Sequence, residues 1–420
     1  MFIREKLSSA MLLGLGACLV VNLSGCEISI NDDGVKGSGK IITEERTATT
    51  FDSVENSSPF NVELVVDGKN SVIVEGDDNF VKEVETIVEG NTLVIRPKQR
   101  NHFRFSWKNR PTTVKVSVAK LNKVLSNGSG DISLRQLRSE NLEIASEGSG
   151  DINASGAIND LQFHASGSGD NNLRQLTTKK VSLTMSGSGD TELGEVAQNL
   201  DARLSGSGEL HVSKLQTESS KLIIDGSGGI TLRGSTKNLE VEMSGSGDLS
   251  IDQLQADKTT INATGPGDVS LTGETKQLKL HASGSGSVDA TRLKVDGAEI
   301  NNSGPADLSF KVLRGNVRFE LSGSGDVDAD LADAGSIDIN SDGPGSISLR
   351  GSGKKLTATL NGSGDLHANS LVVELASVKV NGPGEASVNV KAAGSSSSEP
   401  TTIKNGSRVV TIDRNGVVKD

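Results

Sequence analysis

The chain has no tyrosine, one tryptophan and only 2% aromatic residues in 420 positions. Compact globular cores lean on large aromatic anchors, so small aliphatic side chains must be buried here in some regular way. Prolines number only 8, which excludes collagen and proline-rich disorder. The net charge of −11 leaves no basic footprint for nucleic acid and no charge attraction to an anionic membrane surface. The histidines, at 102, 164, 211, 281 and 367, show no metal-ligand spacing, and no cofactor motif is present. What the chain has in excess is glycine, 49 residues of it.

The two cysteines, Cys18 and Cys26, both fall close to the N-terminus. Arg4 and Lys6 precede the apolar run Ala10–Val21, which is too short to span a bilayer comfortably and has the layout of an export signal. The run closes with Leu23-Ser24-Gly25-Cys26, which resembles the lipobox of bacterial lipoproteins. That resemblance implies removal of residues 1–25, acylation of Cys26 and attachment to a membrane through the lipid. Cys18 leaves with the signal, so no disulfide is expected in the mature chain. Glu27, where inner-membrane lipoproteins resemble an Asp pattern, points to the outer membrane of the cell envelope. Residues 26–36 read as a tether.

From Gly37 to Leu125 the sequence shows strand signals without a fixed period. "NVELVVDGKNSVIVEG" (Asn61–Gly76) has alternating apolar residues on both sides of Asp67-Gly68, a hairpin pattern. "TLVIRP" and "TTVKVSVAKL" read as strands, and Asn79–Val88 is compatible with one short helix.

After residue 126 a motif of the type "SGSGD" recurs, a composition shared by flexible linkers, phosphate-cradling loops and calcium-binding repeats. The first glycines are Gly128, Gly148, Gly167, Gly187, Gly206, Gly226, Gly245, Gly265, Gly284, Gly304, Gly323, Gly343, Gly362 and Gly382. A longer step and one shorter by a single residue alternate without a break through all fourteen. No linker keeps such a count; fixed-period self-similarity marks a solenoid. Four residues before each glycine stands an apolar residue, from Val124 and Ile144 to Val378. Four residues after it the column is apolar except at Asn171 and Thr191. Alternation on both sides of the motif is the signature of strands. The expected fold is therefore an all-β solenoid over 126–391, built from about fourteen repeats of about 19–20 residues. Stacking buries faces that a single unit could not, and at about 4.8 Å per coil the rod would be roughly 65–70 Å long. The corner glycines are expected to supply positive φ and close backbone approach.

The longer units carry leucine nine places after the glycine (Leu137, Leu176, Leu215, Leu254, Leu293, Leu371; Ala332 is the exception). The shorter units tend to have glycine there instead, as at Gly156, Gly194, Gly234, Gly273 and Gly351. This fits two-stranded coils of one motif each. It also fits coils of about 39 residues with two Gly-Ser-Gly corners, still within the size of solenoid repeats. Like-on-like stacking favours the second; the spacing of facing sheets, which small aliphatics can fill, favours the first. Residues 392–420 form a serine-rich linker and a tail that reads as a hairpin capping the last coil.

With "GSGKIITEERTATTFDSV" (Gly37–Val54), "NVELVVDGKNSVIVEGDDN", "IVEGNTLVIRPK" (Ile87–Lys98) and the SGSGD motifs together, the chain resembles the head GIN domain family of auto-transporter adhesins over roughly Gly37 to Val390. The resemblance implies a right-handed β-helix-like fold, a role in adhesion or envelope structure, and no catalytic residues.

Three constellations bear on function. An acidic column stands three residues after the glycines, including Asp131, Asp151, Asp170, Asp190, Glu209, Asp248, Asp268, Asp326, Asp365 and Glu385, with Gly229, Ser287, Ala306 and Ser346 read as interruptions. A calcium ladder needs six to eight oxygens per ion, so the plainer reading is a strand-start carboxylate accepting a hydrogen bond from a turn amide. Nucleotide binding would need a helix after the glycines, whereas these open strands. The segment "KQRNHFRFSWKNRP" (Lys98–Pro111) gathers cations around Phe103, Phe105 and Trp107. Its plainer reading is an amphipathic strand; the other is a ligand loop in which Arg104, Trp107 and Lys108 contact acidic glycans. The function expected is therefore a lipid-anchored display surface that binds glycans or surface proteins without catalysis. The alternative is a polysaccharide-binding or polysaccharide-processing β-helix protein.

Overall fold

The computed structural model describes residues 35–98, 105–106, 111–391, 400–404, 406–413 and 416–419. It is a β-solenoid of about 13 turns, as expected from the period: fourteen corners bound thirteen complete turns. The strand Ile132–Ser146 pairs in parallel with Ile152–Ala165, Ile132 lying opposite Ile152 and Ile144 opposite Phe163. Each residue thus meets its equivalent from the very next motif, and the same register carries on to Leu366–Val380. One coil therefore holds one Gly-Ser-Gly motif, not two. Each inward column then stacks on itself, and one continuous core runs the length of the repeats, mostly Leu, Ile, Val and Ala with Phe163, Phe310, Phe319, Met185 and Met243 among them.

The coil has three faces, not the two of a two-stranded coil. In Leu210–Ile224 inward and outward residues alternate, except at Ser213–Lys214 and Glu218–Ser219, where two successive residues point outward. A strand alternates strictly, so each such pair marks a bend. The coil thus divides into a first face after the Gly-Ser-Gly corner, a short second face and a third face leading to the next corner. Three short faces enclose a volume that one or two aliphatic side chains per face can fill.

The alternation of coil length is absorbed at the first bend. Leu215 lies opposite Gly234, whose φ is +128°, and Leu137 opposite Gly156, whose φ is +134°. In three of the longer coils the extra residue is left-handed: Gln136, Gln253 and Asp333 have φ of 57°, 56° and 53°. Where leucine was missing at Ala332, Leu331 fills the place instead, opposite Gly351, and is buried. Asn171 and Thr191, the polar entries in the inward column, are buried on adjacent coils and joined by a hydrogen bond of 3.3 Å from Asn171 Nδ2 to Thr191 Oγ1.

The N-terminal strands are β1 (Val35–Lys36), β2 (Ile41–Arg46), β3 (Ser53–Asn56), β4 (Asn61–Val66) and β5 (Ser71–Asp77). After helix α1 (Asp78–Val81) come β6 (Val84–Glu89), β7 (Thr92–Pro97), β8 (Phe105–Ser106), β9 (Thr113–Val118) and β10 (Lys123–Ser126). Of the segment compatible with a helix, only its first turn is helical; Val84–Glu89 is a strand because it pairs antiparallel with β7. The expected hairpin across Asp67-Gly68 does not form. The turn is there, with Gly68 at φ +84°, but β9 inserts between its arms, parallel to β4 and antiparallel to β5. The apolar sides of β4 and β5 each gain a longer-range partner that local sequence cannot announce.

These strands continue the solenoid out of chain order. β3 and β4 lie under β10 and the strand Ile132–Ser146, and β7 and β9 lie under β3 and β4. Antiparallel β2, β5 and β6 cover that end. At the other end the tail strands Pro400–Ile403 and Gly406–Asp413 pair antiparallel with the last coils, and Gly416–Lys419 closes a hairpin on the second. Both ends are thus capped, as an aggregation-prone edge requires.

Candidate binding surface

At the Gly-Ser-Gly corners the backbones of successive coils touch. A Cβ built on Gly187 would overlap the carbonyl oxygen of Gly167, and one on Gly206 that of Gly187. None of the fourteen corner glycines has the positive φ expected of them; what demands glycine is close approach alone. The stack begins before the first of them. Gly128 and Gly130 lie against the backbone of Ser58 and Phe60, so Ser57-Ser58-Pro59-Phe60 is a corner without glycine. Asn56 Nδ2 closes it by donating to Phe60 O at 2.9 Å, as Asn302 Nδ2 does to Ala306 O at 2.7 Å. The two asparagines share a signal that was available in the sequence: each is followed by serine, with proline one residue before the carbonyl it caps.

The acidic column is a ladder of side chain to backbone hydrogen bonds. The amide of Asp151 donates to Asp131 Oδ1 at 3.1 Å, Asp170 to Asp151 at 2.9 Å, Asp190 to Asp170 at 3.0 Å and Glu209 to Asp190 at 2.8 Å. Each carboxylate thus caps the amide at its own position one coil further on. Ser287 and Ser346 interrupt the charge but still donate, to Asp268 at 2.7 Å and Asp326 at 2.8 Å. The interruption read at Ala306 is misplaced: Ala306 occupies the second glycine's place, and Asp307 continues the column by accepting from the Asp326 amide at 2.9 Å. One carboxylate per coil with one oxygen engaged is far from a calcium shell. Among the described residues no three His, Cys, Asp or Glu side chains gather as metal ligands.

Cys26, Arg104, Trp107 and Lys108 lie outside the described residues. The histidines at 164, 211, 281 and 367 sit on separate coils. No helix among the described residues is long and apolar enough to cross a membrane.

A concavity that the repeat signal did not point to is a groove of about 490 Å³ along the second face. Its floor is low because Ser235 and Ala256 are short and half-buried. Beneath it threonine hydroxyls are satisfied internally, Thr217 with Ser220 at 2.7 Å and Thr236 with Asn238 O at 3.1 Å. One wall alternates in sign with the coil length: Glu218, Lys237, Asp257, Lys276, Asp296. Lys237 pairs with Glu218 at 2.6 Å and Lys276 with Asp257 at 2.7 Å. The hydrogen bond between Lys276 and Asp257 holds the Asp257 carboxyl below its usual range and the Lys276 ammonium above its own. The side chains of Lys294 and Arg314, at one end, form no ion pair or hydrogen bond among the described residues, and neither do the carboxylates of Glu274 and Asp296 beside them in the lining.

A model of the family "putative auto-transporter adhesin, head GIN domain" matches residues 50–215, 197–289, 216–327 and 300–399. The chain belongs to that family. No curated protein sequence matches it. Similar solved structures include a "putative adhesin" of Bacteroides fragilis, 15% identical, covering 83% of this chain and 100% of that one with a TM-score of 0.24. A "putative adhesin" of Parabacteroides merdae is 15% identical, with coverage of 84% and 99% and a TM-score of 0.25. A "putative lipid binding protein" of Parabacteroides distasonis is 19% identical, with coverage of 77% and 98% and a TM-score of 0.21.

Proposed function

We propose that this head GIN domain protein is an adhesin-type envelope protein, held to a membrane by lipid on Cys26, whose solenoid is a rigid binding surface without catalysis. The observation that carries this reading is the surface itself. Coil after coil presents polar side chains at one fixed spacing, so recognition chemistry is spread along an axis instead of gathered at a point. The family name supports adhesion, and the Leu23-Ser24-Gly25-Cys26 segment supports anchoring in the outer membrane. Attachment of cells expressing the chain to glycan- or protein-coated surfaces should fall to background on its deletion. Cys26→Ser should release it from membranes and abolish palmitate labelling; membrane retention of that variant would remove the anchoring part of the proposal. Cleavage of a polysaccharide by the purified chain, abolished by one acidic substitution, would favour a processing enzyme instead.

A further inference from the structure

We propose that the free edge of β2 pairs with β2 of a second copy of the chain, joining two solenoids end to end. On the first face, the strand Ile132–Ser146 is followed toward the N-terminal end of the rod by β4, β9, β5 and finally β2. Among the described residues β2 pairs with β5 alone, so the antiparallel cap moves the open edge of this face outward without closing it. The Asp78 amide donates to Lys40 O at 2.9 Å, continuing the ladder between these strands. Alternation along the ladder then turns the backbone groups of Ile42, Glu44 and Arg46 toward β5 and leaves those of Ile41, Thr43 and Glu45 facing out. Ile41, on this edge, is 48% exposed, the one large apolar side chain so exposed among the described residues.

The side chains of β2 select a second β2 as the occupant. A strand laid antiparallel on this edge must set its own outward backbone groups against Ile41, Thr43 and Glu45, which leaves few registers. With Ile41 opposite Thr43 of the other copy, Ile42 meets Ile42 across a two-fold axis and Lys40 meets Glu44 on both sides of it. Moving the axis to Thr43 sets Lys40 against Arg46, moving it to Glu44 sets that carboxylate against itself, and moving it to Ile41 sets Lys40 against Ile42. Only the first register opposes unlike charges, and like charges directly opposite destabilise a sheet. In it Lys40, Ile42 and Glu44 fall in non-hydrogen-bonded pairs, where side chains approach most closely. Exposed Ile41 gains the β-branched Thr43 as its cross-strand neighbour. Within the chain Lys40 and Glu44 are held only loosely, by Asp78 at 3.7 Å and by Arg46 at 3.4 Å. The matching end strand of the third face, β6, carries Glu85 and Glu89 and no cation, so it offers a second copy nothing of opposite sign. Pairing through β2 doubles the length of the solenoid and sets both N-terminal tethers at its middle.

The test uses the full chain in membranes of the expressing cell, treated with a mild thiol oxidant. Ile42→Cys should give a disulfide-linked dimer, because facing Cα atoms in such a pair lie about 4.5 Å apart, within reach of a disulfide. Glu45→Cys, which faces Gly39 in this register, should stay at the level of the parent chain. Because Ile42 is half-buried, exposed positions give a second reading: Ile41→Cys mixed with Thr43→Cys should cross-link well above either alone. Lys40→Glu or Glu44→Lys should each lower the Ile42→Cys dimer by about fivefold. The two changes together should restore it, since each copy then carries both members of the reversed pair. Thermal unfolding of the purified variants should show all of them folded. Absence of dimer from both cysteine readings, equal cross-linking of Glu45→Cys, or indifference to the single charge changes each overturns the inference. Failure of the double reversal to restore the dimer also overturns it, since the edge is then taken by a strand other than a second β2.

Discussion

The Gly-Ser-Gly corner and the bend after the first face both use glycine, for different reasons. At the corner, Gly187 has an ordinary backbone conformation but no room, because the carbonyl of Gly167 occupies the place of a Cβ. At the bend, Gly156 and Gly234 combine lack of room with a backbone that side chains rarely adopt. Two of the longer coils cross the same bend with Gln136 or Gln253 in the left-handed region, so there conformation is strained but space is available. Glycine in a repeat therefore marks contact between coils in one column and backbone twist in the other.

Four substitutions test that contrast, from the largest effect to the smallest. Gly187→Ala should destabilise by about 4 kcal/mol, since backbone must move in two coils; a urea midpoint within experimental scatter of the parent would refute close approach as the reason for the column. Leu215→Ala, which empties the space above Gly234, should cost about 3 kcal/mol, measured in the same way. Gln136→Gly should instead stabilise, by about 1 kcal/mol, by removing a side chain from the left-handed region; a loss of stability would show that the residue is not strained. Asp170→Ala deletes the acceptor for one exposed amide and should lower Tm by about 1 °C, with Asp170→Asn closer to the parent. Thermal unfolding in chelator and in millimolar calcium should coincide; a rise with calcium would reopen the metal reading of the acidic ladder.

Legibility followed the range of the interactions. The spacing of Gly128 to Gly382 displayed the coil count because every coil must repeat the same inward column. The leucine and glycine alternation displayed the two forms of the first bend, and even Ala332 was rescued by its neighbour Leu331. The corner at Ser57–Phe60 escaped because it has no glycine to mark it, although Asn56 repeats the Asn302 signature. The Asp67-Gly68 turn misled because a turn signal says nothing about which strand will occupy the space between its arms. The groove was illegible for another reason: Ser235, Ala256 and the alternating wall are ordinary in sequence, and depth arises only when stacking sets the two short residues on adjacent coils among longer neighbours.

Periodicity in the sequence was enough to determine that the chain is a solenoid, how long each coil is within one ambiguity, and where its corners fall, because stacking forces local pattern to repeat. The tertiary structure alone decided that each coil holds a single motif folded into three faces, that β9 parts the expected hairpin, and that the first coils lie out of chain order. Those outcomes depend on which distant backbone completes each hydrogen-bond ladder and on how much volume small aliphatic side chains can fill, and neither is written in any single stretch of residues.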